Sequence, residues 1–107
     1  MSPNADIPVK RIHVLGCTGS IGTNTLDVLQ HLGKGYEIVG LAASCSAEAV
    51  IDQARQFKVR HIAMANEEAG RHVAEALGDA AQVFHGSQAQ RQMVEAVDAE
   101  MIIAAVV

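Results

Sequence analysis

Three glycines fall within seven residues, Gly16-Cys17-Thr18-Gly19-Ser20-Ile21-Gly22, and their spacing can do chemistry. Glycine tolerates positive φ and lets a backbone or a ligand come close. Between a strand and a helix, Gly16 would turn the chain off the strand. Gly19 would clear the path of a pyrophosphate, and Gly22 would let the helix sit close to the sheet. The unpaired N–H groups at the helix start, those of Ser20, Ile21 and Gly22, would then face the phosphate. The helix dipole adds partial positive charge there. Thr18 and Ser20 add hydroxyl donors. The spacing is GxxGxxG, not GxGxxG, and alone it also suits a tight turn with no ligand. A P-loop does not fit, since Ile21 stands where its second glycine belongs and no Lys follows.

The flanking pattern supplies the elements such a turn needs. Residues 9–15 read as a short apolar strand. The helix after the turn carries Thr25, Val28, Leu29 and Leu32 at i, i+3, i+4 and i+7, with Gly22 on the same face. Gly33 and Gly35 close it. Tyr36–Ala43 reads as a strand buried on both sides. Ser46 is a fitting N-cap for a helix that buries Ala47, Val50, Ile51, Ala54 and Phe57. A strand at 61–65 and a helix at Glu67–Leu77 follow, the helix burying Ala69, Val73, Ala76 and Leu77. A weak strand at Gln82–His85 comes next. A helix at 88–97 then buries Ala89, Met93, Ala96 and Val97. Residues 101–107 form a last apolar strand. This alternation predicts an α/β fold: a Rossmann-like, doubly wound parallel sheet of about five strands with helices on both faces. The expected strand order is 3-2-1-4-5.

The end of the second strand tests cofactor choice. An NAD enzyme places Asp or Glu there, about 20 residues on, for the ribose 2′-hydroxyl. Here the chain reads Ala42-Ala43-Ser44-Cys45-Ser46, with no acid and no base. The missing acid leaves room for a 2′-phosphate, and Ser44 and Ser46 are candidates to bond it. Glu48, one turn into the helix, opposes this modestly. As an alternative, Ser46 is an ordinary cap.

Composition excludes other classes. Of 107 residues, 50% are hydrophobic and 19% charged, which suits one globular domain. Aromatics are 3%, too few for stacking on single-stranded nucleic acid. A net charge of −4 argues against nucleic acid or an anionic membrane as a partner. Neither a signal peptide nor a membrane-length apolar run is apparent, so the expected location is cytoplasmic. Cys17 and Cys45 are not a CxxC pair and read as separate thiols. His13, His31, His61, His72 and His85 are scattered without metal spacing, and Glu67-Glu68 read as a solvated helix start. These residues offer no catalytic acid or base and no metal site. Residues 1–8 read as a flexible tail and 9–107 as the domain. The apolar ending Ile-Ile-Ala-Ala-Val-Val has no cap, so the chain is expected to be the N-terminal piece of a longer protein.

The stretch Leu15-Gly16-Cys17-Thr18-Gly19-Ser20-Ile21-Gly22-Thr23-Asn24-Thr25-Leu26-Asp27-Val28 strongly resembles the 1-deoxy-D-xylulose 5-phosphate reductoisomerases. The second strand and the closing apolar run are similar to that family as well. The resemblance runs from Arg11 onward and covers only the first part of such an enzyme. It implies the NADPH-binding part of an enzyme of non-mevalonate isoprenoid synthesis. That enzyme rearranges 1-deoxy-D-xylulose 5-phosphate and reduces the product to 2-C-methyl-D-erythritol 4-phosphate. It implies Mg²⁺ or Mn²⁺ as a Lewis acid, held by ligands outside this chain, and a homodimer. It also implies NADPH binding at Thr18, Gly19, Ser20 and Ile21. The family often carries a Gly-Lys-Asn-like stretch where Ser44-Cys45-Ser46 stands here. The alternatives are another NAD(P)-dependent reductase or dehydrogenase and a stand-alone nucleotide-binding module. On its own, the chain is expected to have no turnover.

Overall fold

The computed structural model describes residues 9–33 and 35–105. Strands β1 (Lys10–Leu15), β2 (Tyr36–Ala43), β3 (His61–Met64), β4 (Gln82–His85) and β5 (Met101–Ala104) alternate with helices α1 (Ser20–Leu32), α2 (Ala47–Phe57), α3 (Glu67–Leu77) and α4 (Ala89–Ala96). A short 3-10 turn, Gly78–Ala80, follows α3. Residues 1–8, expected as a tail, and residues 106–107 of the expected last strand lie outside the described residues.

All five strands are parallel, in the order β4-β3-β2-β1-β5. The expected order 3-2-1-4-5 is therefore corrected: β4 lies beyond β3, and β5 takes the place beside β1. The residues explain this. Gln82 and His85 put exposed polar side chains at both ends of β4, which suits an outer strand with a wet side. The run Met101-Ile102-Ile103-Ala104 is apolar throughout and pairs with β1 as the outer strand at the opposite edge. Arg11 and Glu100 fasten that edge. The Glu100 carboxylate accepts the Arg11 backbone N–H at 2.8 Å and its guanidinium at 3.3 Å.

Right-handed crossovers that step one way along a sheet keep their helices on one face. Accordingly α1, α2 and α3 share a face and close the main core over Ile12, Val14, Leu41, Ile62 and Met64. The return from β4 to β5 reverses the step and sends α4 to the other face. There Ala89 and Met93 cover Leu15, Ala42 and Ala63. Helices do lie on both faces, three against one. On the α4 face His13 is only 1% exposed, and its Nε2 donates to the Val97 carbonyl at 2.6 Å. A register shift in the β1–β2 pairing, where β2 carries the extra residue Val39, sets Gly40 opposite His13, and a Cβ there would collide with the ring's Nδ1.

The buried face of α1 differs from the periodic expectation. Gly22, Leu26 and Leu29 point inward, while Val28 and Leu32 are 56% and 55% exposed. The cause is Gly22. A Cβ there would run into the Gly16 carbonyl oxygen and the Cys17 backbone. That close approach sets the rotation of the helix and turns Leu26 in. On α4, Ala89 and Met93 are buried, while Ala96 is exposed and Val97 lies past the helix end, half-buried. On α3, Gly70 joins the buried set because its Cα abuts His85 on β4. Leu26→Ala is expected to cost about 2–5 kcal/mol of unfolding free energy, and Val28→Ala less than about 0.5 kcal/mol, as read by chemical denaturation. The periodic reading would make the two costs similar.

Candidate functional site

The glycine turn is held by β2. The N–H groups of Gly16 and Cys17 both donate to the Ala42 carbonyl, at 2.8 and 3.0 Å. Gly16 takes φ 75, which an L side chain rarely adopts. Gly22 is needed for the close approach just described. Gly19 differs from both. Its φ of −75 and ψ of 173 suit any residue, and a Cβ there would meet only the Gly16 oxygen, at 3.7 Å. Nothing in the fold's own packing requires glycine at this position.

Gly19 is the N-cap of α1, so no side chain caps that helix, and its first turn holds no acid. Thr23 N–H reaches Gly19 O at 2.8 Å. Among the described residues, the N–H groups of Ser20, Ile21 and Gly22 find no acceptor, as the first turn of an uncapped helix dictates. Helix α3 is the contrast. There Asn66 Oδ1 accepts from Ala69 N–H at 2.8 Å, and Glu67 and Glu68 fill the first turn. The start of α1 is thus open and positive, which suits an anion.

In front of it lies an open cleft of about 340 Å³, lined by Gly16, Thr18, Gly19, Ala42, Ala43, Ser44, Ala65, Gln90 and Ala105. Three of the six sequence-derived candidates, Thr18, Gly19 and Ser44, line it. Ser20 and Ile21 form the first turn of α1, and the Ile21 side chain is 53% exposed. Ser46 stands off the cleft wall. It occupies the N-cap position of α2, but its hydroxyl makes no capping bond. Gln90 and Ala105 were not singled out by sequence, because only the return of α4 and β5 beside β1 brings them here. A larger cavity, about 490 Å³, lies at the amino-terminal end of the sheet and is lined by Arg11, Glu37, Lys58, Arg60 and His61 among others. Ligands of open parallel sheets bind at the carboxyl ends of the strands, so the glycine-turn cleft is the candidate.

The remaining reactive groups are occupied separately. Glu48 points to His72 on α3, 2.7 Å away, and Glu67 binds His85 at 2.8 Å. His61 contacts the Val39 carbonyl at 3.2 Å, and His31 the Asp27 carbonyl at 2.8 Å. Among the described residues, no three His, Cys, Asp or Glu side chains gather as a metal site would require. No helix of the described residues is long and apolar enough to cross a membrane. Cys17 is buried and Cys45 exposed, and both are free thiols. Burial pushes the Cys17 thiol up to about 12, so it serves as a small apolar side chain. At pH 8 an alkylating reagent should label Cys45 alone in the native protein and both thiols after unfolding, as counted by mass. Because the folded thiol holds its proton more tightly, its contribution to stability should be intact below pH 9 and fall away as pH rises toward about 12.

The family model for 1-deoxy-D-xylulose 5-phosphate reductoisomerase matches residues 12–107. A relative of that name from Halothermothrix orenii is 39% identical over 99 residues, covering 92% of this chain and 26% of its own length. One from Bacteroides thetaiotaomicron is 40% identical over 99 residues, covering 92% and 25%. The solved Zymomonas mobilis reductoisomerase, in complex with NADPH, superimposes with a TM-score of 0.83 at 25% identity, over 92% of this chain and 26% of that one. This chain thus spans about a quarter of the length of the relatives it matches. With the family model matching nearly all of the described sheet and its glycine turn, the chain belongs to the 1-deoxy-D-xylulose 5-phosphate reductoisomerase family.

Proposed function

We propose that residues 9–107 form the N-terminal NADPH-binding domain of an enzyme that converts 1-deoxy-D-xylulose 5-phosphate to 2-C-methyl-D-erythritol 4-phosphate. The observation that carries this reading is Gly19. Neither its backbone angles nor its neighbours call for glycine, so the missing side chain is explained by a ligand that must approach there. The open start of α1 beside it, and the NADPH complex of the Zymomonas mobilis relative, support the same reading.

On this reading the pyrophosphate takes the N–H groups of Ser20, Ile21 and Gly22 and the hydroxyls of Thr18 and Ser20. The 2′-phosphate takes the hydroxyls of Ser44 and Ser46. The pairing of Glu48 with His72 draws that carboxylate into contact with a neighbouring helix and reduces its opposition to the phosphate. NADPH, when bound, supplies the hydride of the reduction. The described residues do not fit Mg²⁺ or Mn²⁺, since no three ligating side chains come together. On this reading the metal and the substrate are held by other parts of the enzyme, and this chain alone should show no turnover. The whole enzyme is proposed to be a cytoplasmic homodimer, and the net charge of −4 on this chain speaks against nucleic acid or an anionic membrane as a partner of this part of it.

Two substitutions test the assignment by titration with nucleotide. Gly19→Val should weaken NADPH binding more than about tenfold while costing the fold only about 1 kcal/mol, the scale of a poorer N-cap. Unchanged affinity would remove the cofactor role of the turn. Ser44→Asp should weaken NADPH about tenfold and leave NADH nearly unchanged, since a carboxylate repels only the nucleotide that carries the 2′-phosphate. Equal loss of both would place the 2′-phosphate elsewhere.

A further inference from the structure

Gln53 lies on α2, 36 residues from the glycine turn in sequence, and its side-chain Nε2 donates to the Cys17 carbonyl at 2.9 Å. Among the described residues, no other side chain bonds the backbone of residues 16–19. The turn is thus gripped from two sides. Ala42 takes the N–H groups of Gly16 and Cys17, and Gln53 holds the Cys17 carbonyl.

That second grip has a geometric consequence. The Cys17–Thr18 peptide is planar and trans, so the Cys17 C=O and the Thr18 N–H point in opposite directions. With the carbonyl drawn toward α2, the N–H is turned away from α2. Thr18 lines the glycine-turn cleft, and its N–H has no acceptor among the described residues.

The amide of Gln53 has only one usable orientation. Reversed, it would set two oxygens against each other. In the orientation it takes, Oε1 is buried without a partner. A Met side chain of the same length would fill this place, but it would leave the Cys17 carbonyl without its donor. Packing alone therefore does not account for an amide here.

We propose that Gln53 is a positioning residue of the cofactor site: by holding the Cys17 carbonyl it aims the Thr18 N–H at the pyrophosphate as a donor beside those of α1. This rests on the NADPH reading above. It also makes a distinction within the ligand. Aim of the Thr18 N–H matters to the pyrophosphate and not to the 2′-phosphate, which the proposed function gives to Ser44 and Ser46.

The test is a titration of the wild-type chain and of Gln53→Met with NADPH, NADH and adenosine 2′-monophosphate, which has no pyrophosphate. The two dinucleotides should each weaken roughly tenfold in the variant, the scale of one lost hydrogen bond to a charged group. Adenosine 2′-monophosphate should stay within about twofold, and thermal unfolding should remain cooperative. Equal weakening of all three ligands would mean that α2 as a whole has moved, and would overturn the positioning role. So would unchanged dinucleotide affinity, or a variant that no longer unfolds cooperatively. A wild-type chain that binds none of the three overturns the NADPH reading and the role of Gln53 with it.

Discussion

The Ala42 carbonyl oxygen accepts two successive N–H groups, those of Gly16 and Cys17, and the carboxyl end of the sheet is built around that junction. The two hydrogen bonds to one acceptor force the chain off β1 at once, and Gly16 absorbs the turn at φ 75. The helix that follows must then start almost on top of the turn, which only Gly22 permits. From that contact follow the rotation of α1, the burial of Leu26 and Leu29, and the exposure of Val28 and Leu32. The open N-terminus of α1 has a separate cause: its N-cap residue, Gly19, carries no side chain.

Much of this architecture was legible in the residues. The spans Tyr36–Ala43, Glu67–Leu77 and Gln82–His85 agree with the pattern, because Ser44, Gly78 and Gly86 close them. The strand order was not legible in the same way. Local periodicity says that β4 and β5 exist but not which neighbour each takes. The polar ends of Gln82-Val83-Phe84-His85 were the available signal, and they mark an outer strand. The face of α1 departs from the hydropathy pattern for a related reason. Period 3.6 admits both the stripe through Leu32 and the stripe through Leu26. The choice is made by a backbone contact at Gly22 that leaves no mark in hydropathy.

The site divides along the same line. Thr18, Gly19 and Ser44 were readable because they lie beside strand ends, where parallel sheets place ligands. Gln90, Ala65 and Ala105 reach the cleft only through crossovers, so their roles depend on topology. Gln53 gave no sequence signal at all. It is a polar residue in the middle of an amphipathic helix, where a glutamine facing solvent would look the same. Ser46 went the other way: the N-cap position was right, but its hydroxyl stays unbonded.

The contact of Gly22 with the Gly16–Cys17 backbone also bears on how nucleotide binding would be driven. A loop that must order itself around an anion loses backbone entropy, about 1–2 kcal/mol for each residue fixed. Here the first turn of α1 is wedged against the strand end by the chain's own packing at Gly22. An anion arriving there meets a rigid cradle and not a folding loop, so little of its attraction is lost to ordering the protein. The same stiffness sets a limit. A cradle that cannot deform discriminates by shape, and a bulkier or differently bent diphosphate would find no accommodating movement of the backbone.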